Sequence, residues 1–319
     1  MPTFMTRRTL KRSTLGVFLL ALFVMDGCAT VKPPVGSSLV PTQYQTRTGP
    51  YCVFTNSPLA TDAPAIRHLQ SLETQIEKTL GLRVPPGSDP IEVYILENSE
   101  AFGHFLMFYF PELPARRAFF LAQGNRRVVY TYLGGRLDED LRHEATHALL
   151  HAAAPDLPLW LDEGLAEYFE VDEAHAGWNA DHVARLPDDL AAGWKPDLRK
   201  LEMLKDVRKM TPRDYRESWA WVHFLLDGPA ANKTALLGYL ADQRSKGNVP
   251  PLSKRLANDQ PDPVERLIAH IEMNNESAIA RSRIEPKTES TVRFQDRAAE
   301  PVTPRKRGLF GRFVGLFGL

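Results

Sequence analysis

The chain has 319 residues, 43% of them hydrophobic and 24% charged. That is enough apolar material to bury a sizeable core in one large or two small domains, and too much for a disordered chain. Its 39 basic and 39 acidic residues cancel, which removes any general electrostatic reason for binding nucleic acid.

The N-terminus carries Arg7, Arg8, Lys11 and Arg12, followed by an apolar run from Leu15 to Met25. This run is too short to cross a bilayer as a mature helix, so residues 1–27 read as a secretory signal. Met25-Asp26-Gly27-Cys28 resembles a bacterial lipoprotein box, although Met25 and Asp26 depart from its usual residues. The resemblance implies a lipid on Cys28 and a protein held on a membrane of the cell envelope, facing the periplasm or exterior. An ordinary cleaved signal or an uncleaved anchor, with Cys28 incidental, is the alternative. Thr6-Arg7-Arg8-Thr9-Leu10-Lys11 also resembles a loose twin-arginine signal.

Residues 28–49 contain Pro, Ser, Thr and Gly with little periodicity and read as a tether, with folding expected from near Tyr51. Tyr51-Cys52-Val53-Phe54 reads as a strand whose cysteine is a packed core residue. Ala65, Leu69, Leu72, Ile76 and Leu80 fall at helical spacing, and Ile91 to Leu96 form the next strand. A short helix over 100–109 ends at Pro111 and Pro114. Two β-rich runs, 117–121 and 127–132, then face each other across Gln123-Gly124-Asn125 as a hairpin.

Asp138-Glu139-Asp140 supplies a cap candidate and two further acids at a helix start, Leu141, Ala145, Ala148 and Leu149 give a helical apolar pattern, and Pro155 supplies the stop. Inside lies His143-Glu144-Ala145-Thr146-His147, an H-E-x-x-H segment. Four-residue spacing puts both imidazoles on one helix face, about 6 Å apart along the axis, where one Zn²⁺ can take both. Glu144 lies beside that face, within reach of a water on the metal. The pentapeptide alone is a weak signal. A second apolar helical stretch opens at Pro158-Leu159-Trp160-Leu161 and carries Glu163, Glu167 and Glu170, any of which can complete a site of two histidines and one carboxylate.

With Trp160-Leu161-Asp162-Glu163-Gly164 following H-E-x-x-H, the chain resembles the gluzincin metallopeptidases over about residues 50 to 245. The resemblance implies a zincin-like α+β lobe with a mixed sheet and active-site helix, Zn²⁺ as cofactor, and a peptide or protein substrate. It implies His143, His147 and Glu163 as metal ligands and Glu144 as general base. It further implies that Glu167 supports a ligand histidine and that Tyr215, in Tyr215-Arg216-Glu217-Ser218-Trp219, steadies the oxyanion. The strand at 127–132 takes the place of the family's edge strand, which lines the cleft and pairs with substrate; an ordinary structural hairpin is the alternative. No G-x-M-x-N segment precedes the zinc helix, which favours endopeptidase action. The loop between the two motifs is shorter than is usual in the aminopeptidases.

Beyond Glu170 the patterns are helical: Leu198 to Met210, Tyr215 to Leu226, Lys233 to Ser245 and Pro263 to Asn274. The expected organisation is therefore an α+β lobe at 50–175 and a mostly helical lobe at 176–274. Residues 275–307 read as disordered, and 308–319 as a basic, aromatic tail with a weak membrane contact. His151 and His223 read as structural, and Trp160, Trp219 and Trp221 as core. Three functions fit: a membrane-tethered zinc peptidase, a catalytically inactive envelope lipoprotein serving as a binding or scaffold module, and a hydrolase of non-peptide amides.

Overall fold

A computed structural model describes residues 39–175, 177–246, 249–259 and 261–284. The signal, Cys28, the tether up to residue 38 and the C-terminal tail lie outside the described residues. No helix among those described is long and apolar enough to cross a membrane.

The fold is α+β, with one mixed five-stranded sheet and ten α-helices among the described residues. Strand β1 (Tyr44–Thr48) pairs antiparallel with β2 (Tyr51–Thr55), so the stretch read as tether is already sheet from Tyr44. The turn between them needs Gly49, which has φ +50°, and a β-carbon there would strike the Glu73 carboxylate at 2.3 Å. Helix α1 (Pro64–Leu80) carries proline in its first turn and stops at Gly81, which adopts the left-handed conformation and donates to Glu77 O.

β3 (Ile91–Leu96) runs parallel to β2. Helix α2 (Ser99–Tyr109), capped by the Asn98 side chain, leads to the antiparallel pair β4 (Phe119–Gln123) and β5 (Arg126–Tyr132). β5 returns parallel to β3, giving the order β1-β2-β3-β5-β4. The hairpin is as read, but β5 is interior. The edge on this side is β4, because the turn folds the earlier strand outside the later one.

Alternation of side chains sends β5 into two cores. Val129 packs with Val53, Val93 and the helices α1 and α3 (Leu137–Ala153), whereas Val128 and Tyr130 join Phe102, Phe105 and Phe119 under α2. The larger core continues through α4 (Leu159–Phe169) to α7 (Pro212–Asp227) and α8 (Ala230–Lys246). Gly164 makes the α4–α7 contact close, since a β-carbon there would lie 2.6 Å from Ser218 O.

Between them run α5 (Ala180–Ala191) and α6 (Leu198–Met203), and the chain ends in α9 (Leu252–Asp259) and α10 (Pro263–Ile284). The helix read over 198–210 is thus broken after Met203, with only a short 3₁₀ turn at Val207–Lys209. α10 carries helix to Ile284, ten residues into the segment read as disordered.

Candidate metal centre

Helix α3 crosses beneath β4 and β5 and packs on α4, and the two expected motifs meet at that crossing. His143 Nε2 and His147 Nε2 lie 3.3 Å apart, and Glu163 Oε2 is 3.6 Å from His147 Nε2. Ligand atoms of His143, His147 and Glu163 all fall within 4.8 Å of one another. Two nitrogens bound to one tetrahedral Zn²⁺ at about 2.05 Å sit about 3.3 Å apart, which is the spacing found between the two rings.

The outer nitrogens explain why those atoms face inward. His143 Nδ1 is 2.9 Å from Glu170 Oε2, and His147 Nδ1 is 2.9 Å from Asp162 Oδ2. A carboxylate at Nδ1 fixes the tautomer with the proton there and leaves the Nε2 lone pair free as a ligand. Asp162 also lies 3.4 Å from His151 Nε2, which accounts for His151 as a packing residue. Glu170 is held in turn by Asn179 Nδ2 at 2.5 Å.

Glu167 does not do what the resemblance implied. Its Oε2 is 2.8 Å from His182 Nε2, and the outer nitrogens of His143 and His147 are met by Glu170 and Asp162 instead. Four residues put Glu167 one turn past Glu163. Glu170 is another three on, at the end of α4, where its carboxylate meets the outer side of the His143 ring. A second grouping, of His143, Glu167 and Glu170, also brings ligand atoms within 4.8 Å of one another.

The electrostatics suit a cation. Asp162 and Glu163 are almost fully buried, and Glu167 and Glu170 are half-buried beside them. Burial opposes charge on His147, yet Asp162 and Glu163 outweigh it and raise its pKa to about 9. Burial likewise opposes charge on His143, where the bond to Glu170 leads the acids that hold its pKa well above the ordinary value. Burial pushes Glu163 up to about 7 against the pull of both histidines. A dication satisfies this excess of buried carboxylate, and two neutral imidazoles with one carboxylate are a donor set that Zn²⁺ favours.

Arg142, next to His143, is the unexpected member. The residue is 1% exposed, and its guanidinium donates to Phe169 O at 2.9 Å, Ser71 Oγ at 3.2 Å and Gln75 Oε1 at 2.6 Å. It ties α3 to α1 and to the last residue of α4, one position before Glu170.

A cleft of about 510 Å³ opens in front, lined by Arg116, Arg117, Glu139, His143, Glu144 and His182 among others. Glu144 therefore borders the cleft beside His143. Tyr215 is half-buried on α7, and its pKa is raised by burial first and then by the charges of Glu163 and Glu167. Arg213 and Arg216, either side of it, both bond Asp189 of α5, which holds that turn of α7 in place.

Asp162, Asn179, His182 and Arg142 were not singled out as site residues by the sequence, and Glu170 was read there only as one of three candidate ligands. Asp162 and Glu170 flank the Glu163 and Glu167 pair, and their spacing on α4 was the available signal. Asn179 caps α5 by accepting from His182 N, a helix start that Pro187 within the helix obscured.

Residues 139–246 match a protein family described as "Protein of unknown function (DUF1570)". The match begins in the first turn of α3 and ends with α8, so it takes in both site helices and Tyr215. No curated protein matches the chain.

Proposed function

We propose that the chain is a zinc-dependent hydrolase of the gluzincin kind, cleaving peptide bonds outside the cytoplasm while tethered to a membrane through Cys28. The observation that carries the reading is the pair of Nε2 atoms 3.3 Å apart, each ring held by a carboxylate at Nδ1, with Glu163 completing the set.

His143, His147 and Glu163 hold the ion. Zn²⁺ bound there supplies Lewis acidity, which lowers the pKa of water toward about 7 and polarises the scissile carbonyl. Glu144 takes the proton from the attacking water and delivers it to the leaving nitrogen, a role that needs a carboxylate in the cleft and off the ligand set. The raised pKa of Tyr215 keeps its phenol protonated, so it can donate to the oxygen on which charge develops. The free edge of β4 offers main-chain groups to an extended peptide, the role the resemblance had put on 127–132.

The test is turnover of a peptide library by the wild type and by Glu144→Gln. Cleavage by the first alone supports the hydrolase. Equal turnover removes Glu144 from the chemistry, and no turnover by either favours an inactive binding module on the envelope.

A further inference from the structure

Almost every charge around the cleft is matched within the protein. Arg117 Nη2 and Nε bond Asp140 at 2.7 to 3.0 Å, and Arg117 Nη2 lies 3.7 Å from Glu139. Glu139 is also bonded by Arg136, Glu167 pairs with His182, and Glu170 pairs with His143. Among the described residues three cleft charges have no such partner: Glu144, Asp181 and Arg116. Glu144 has its use in the proposed chemistry. Asp181 lies in the first turn of α5, where a carboxylate is favoured by the helix dipole. Arg116 is left over.

Its placement is not that of a stray surface residue. Arg116 stands in the segment entering β4, and the bonds of Arg117 to α3 anchor that segment from the next position. The guanidinium is exposed, borders the cleft with His143 and Glu144, and its charge reaches the Tyr215 phenol. A peptide lying along the open edge of β4 passes beside it. Arginine presents a planar fork of donors that matches a carboxylate with two parallel bonds.

We infer that Arg116 selects substrates bearing a carboxylate close to the scissile bond, as an acidic side chain or a free C-terminus, an inference that rests on the hydrolase reading of the same cleft. Arg116 is a specificity residue here and takes no part in bond breaking.

The experiment measures binding, so it stands apart from turnover. Dye-labelled peptides with Glu or Gln scanned through each position, with free or amidated C-termini, are titrated into the full zinc-loaded Glu144→Gln chain and followed by anisotropy. At one position Glu is expected to bind about tenfold tighter than Gln, or the free terminus tighter than the amide, which tells the two carboxylate sources apart. Adding Arg116→Gln should bring that ratio close to one, Arg116→Lys should restore part of it, and Arg116→Glu should invert it toward Lys-bearing peptides. Equal binding of charged and neutral peptides everywhere, or a preference that survives Arg116→Gln, overturns the inference even if the wild type cleaves peptides. A preference that tracks Arg116 in a protein with no turnover would keep the recognition role and remove the hydrolase.

Discussion

Glu170 holds the Nδ1 of His143 at 2.9 Å across the junction of two helices, and the Nε2 of that ring faces His147 as a result. A carboxylate at each Nδ1, Glu170 for His143 and Asp162 for His147, leaves the two Nε2 atoms facing each other. A bound cation there can replace the second proton that the raised pKa of each ring favours. Two ring nitrogens 3.3 Å apart in a buried setting call for a shared proton or a shared cation. Four carboxylates around them favour the cation.

One Zn²⁺ per chain is therefore expected on elemental analysis of the full chain. His143→Ala, His147→Ala and Glu163→Ala should each reduce it sharply. Glu170→Gln and Asp162→Asn should weaken affinity about 10- to 100-fold while leaving stoichiometric binding at saturating zinc. A folded Glu163→Ala variant that retains full zinc would transfer the ligand role to Glu167.

Glu144→Gln should keep both fold and zinc and lose at least about 10²-fold in turnover. Steady-state rates with a peptide substrate, beside zinc content of the same preparation, check it. A variant within a few-fold of wild type would mean that another group moves the proton.

Tyr215→Phe tests the other half of the chemistry. Loss of a donor that bonds mainly in the transition state should lower kcat by about 10²-fold with KM and metal content little changed. A raised KM at constant kcat would instead make Tyr215 a substrate-binding residue.

Much of this site was legible because helical spacing is rigid. The four-residue spacing of His143 and His147 fixes a common face, and Glu163 followed by Gly164 marks where α4 must come close, the glycine being the point where it meets α7 at Ser218. Partners outside that spacing were not legible. Asn179 and His182 depend on α5, whose pattern of Val183 and Leu186 is interrupted by Pro187. β1 was hidden because Thr48 is its one buried residue, so it shows no apolar alternation. The edge was assigned to β5 because sequence order places it next to α3, whereas a hairpin can place either strand outermost.

Arg142 should be the costliest residue of the site to replace. Arg142→Met removes three bonds from a buried cation and releases the Phe169 carbonyl next to Glu170, which should destabilise the fold by about 2–4 kcal/mol. Because Glu170 orients His143, zinc affinity should fall as well, although Arg142 touches no ligand atom. Urea unfolding and zinc titration of Arg142→Met and Arg142→Lys check both effects, and full zinc affinity in a destabilised Arg142→Met would confine the residue to stability.

Acid sensitivity should come partly from a second pair of histidines, on α7 and α10 rather than on α3. His223 Nδ1 on α7 is 2.9 Å from His270 Nε2 on α10, and Asn274 Nδ2 lies 3.1 Å from that same Nε2. The two rings share one proton across the His223 Nδ1–His270 Nε2 contact, whichever of them donates, and the accepting ring must be neutral. Trp178, Trp219 and Phe224 close around the pair, and the nearest carboxylate, Asp227, is 4.0 Å from His223 Nε2. Burial, then His270, lowers His223 to about 3, and burial lowers His270. The unfolded chain, with histidines near pKa 6.5, binds protons that the folded chain refuses. The stability this pair contributes is accordingly complete above about pH 6.5 and is lost progressively as pH falls from there toward about 3. Urea unfolding of metal-free protein from pH 7.5 to 4.5 should show the stability gap between wild type and His223→Phe/His270→Met narrowing below pH 6.5. Parallel curves across that range would mean that the pair titrates alike in the folded and unfolded chains.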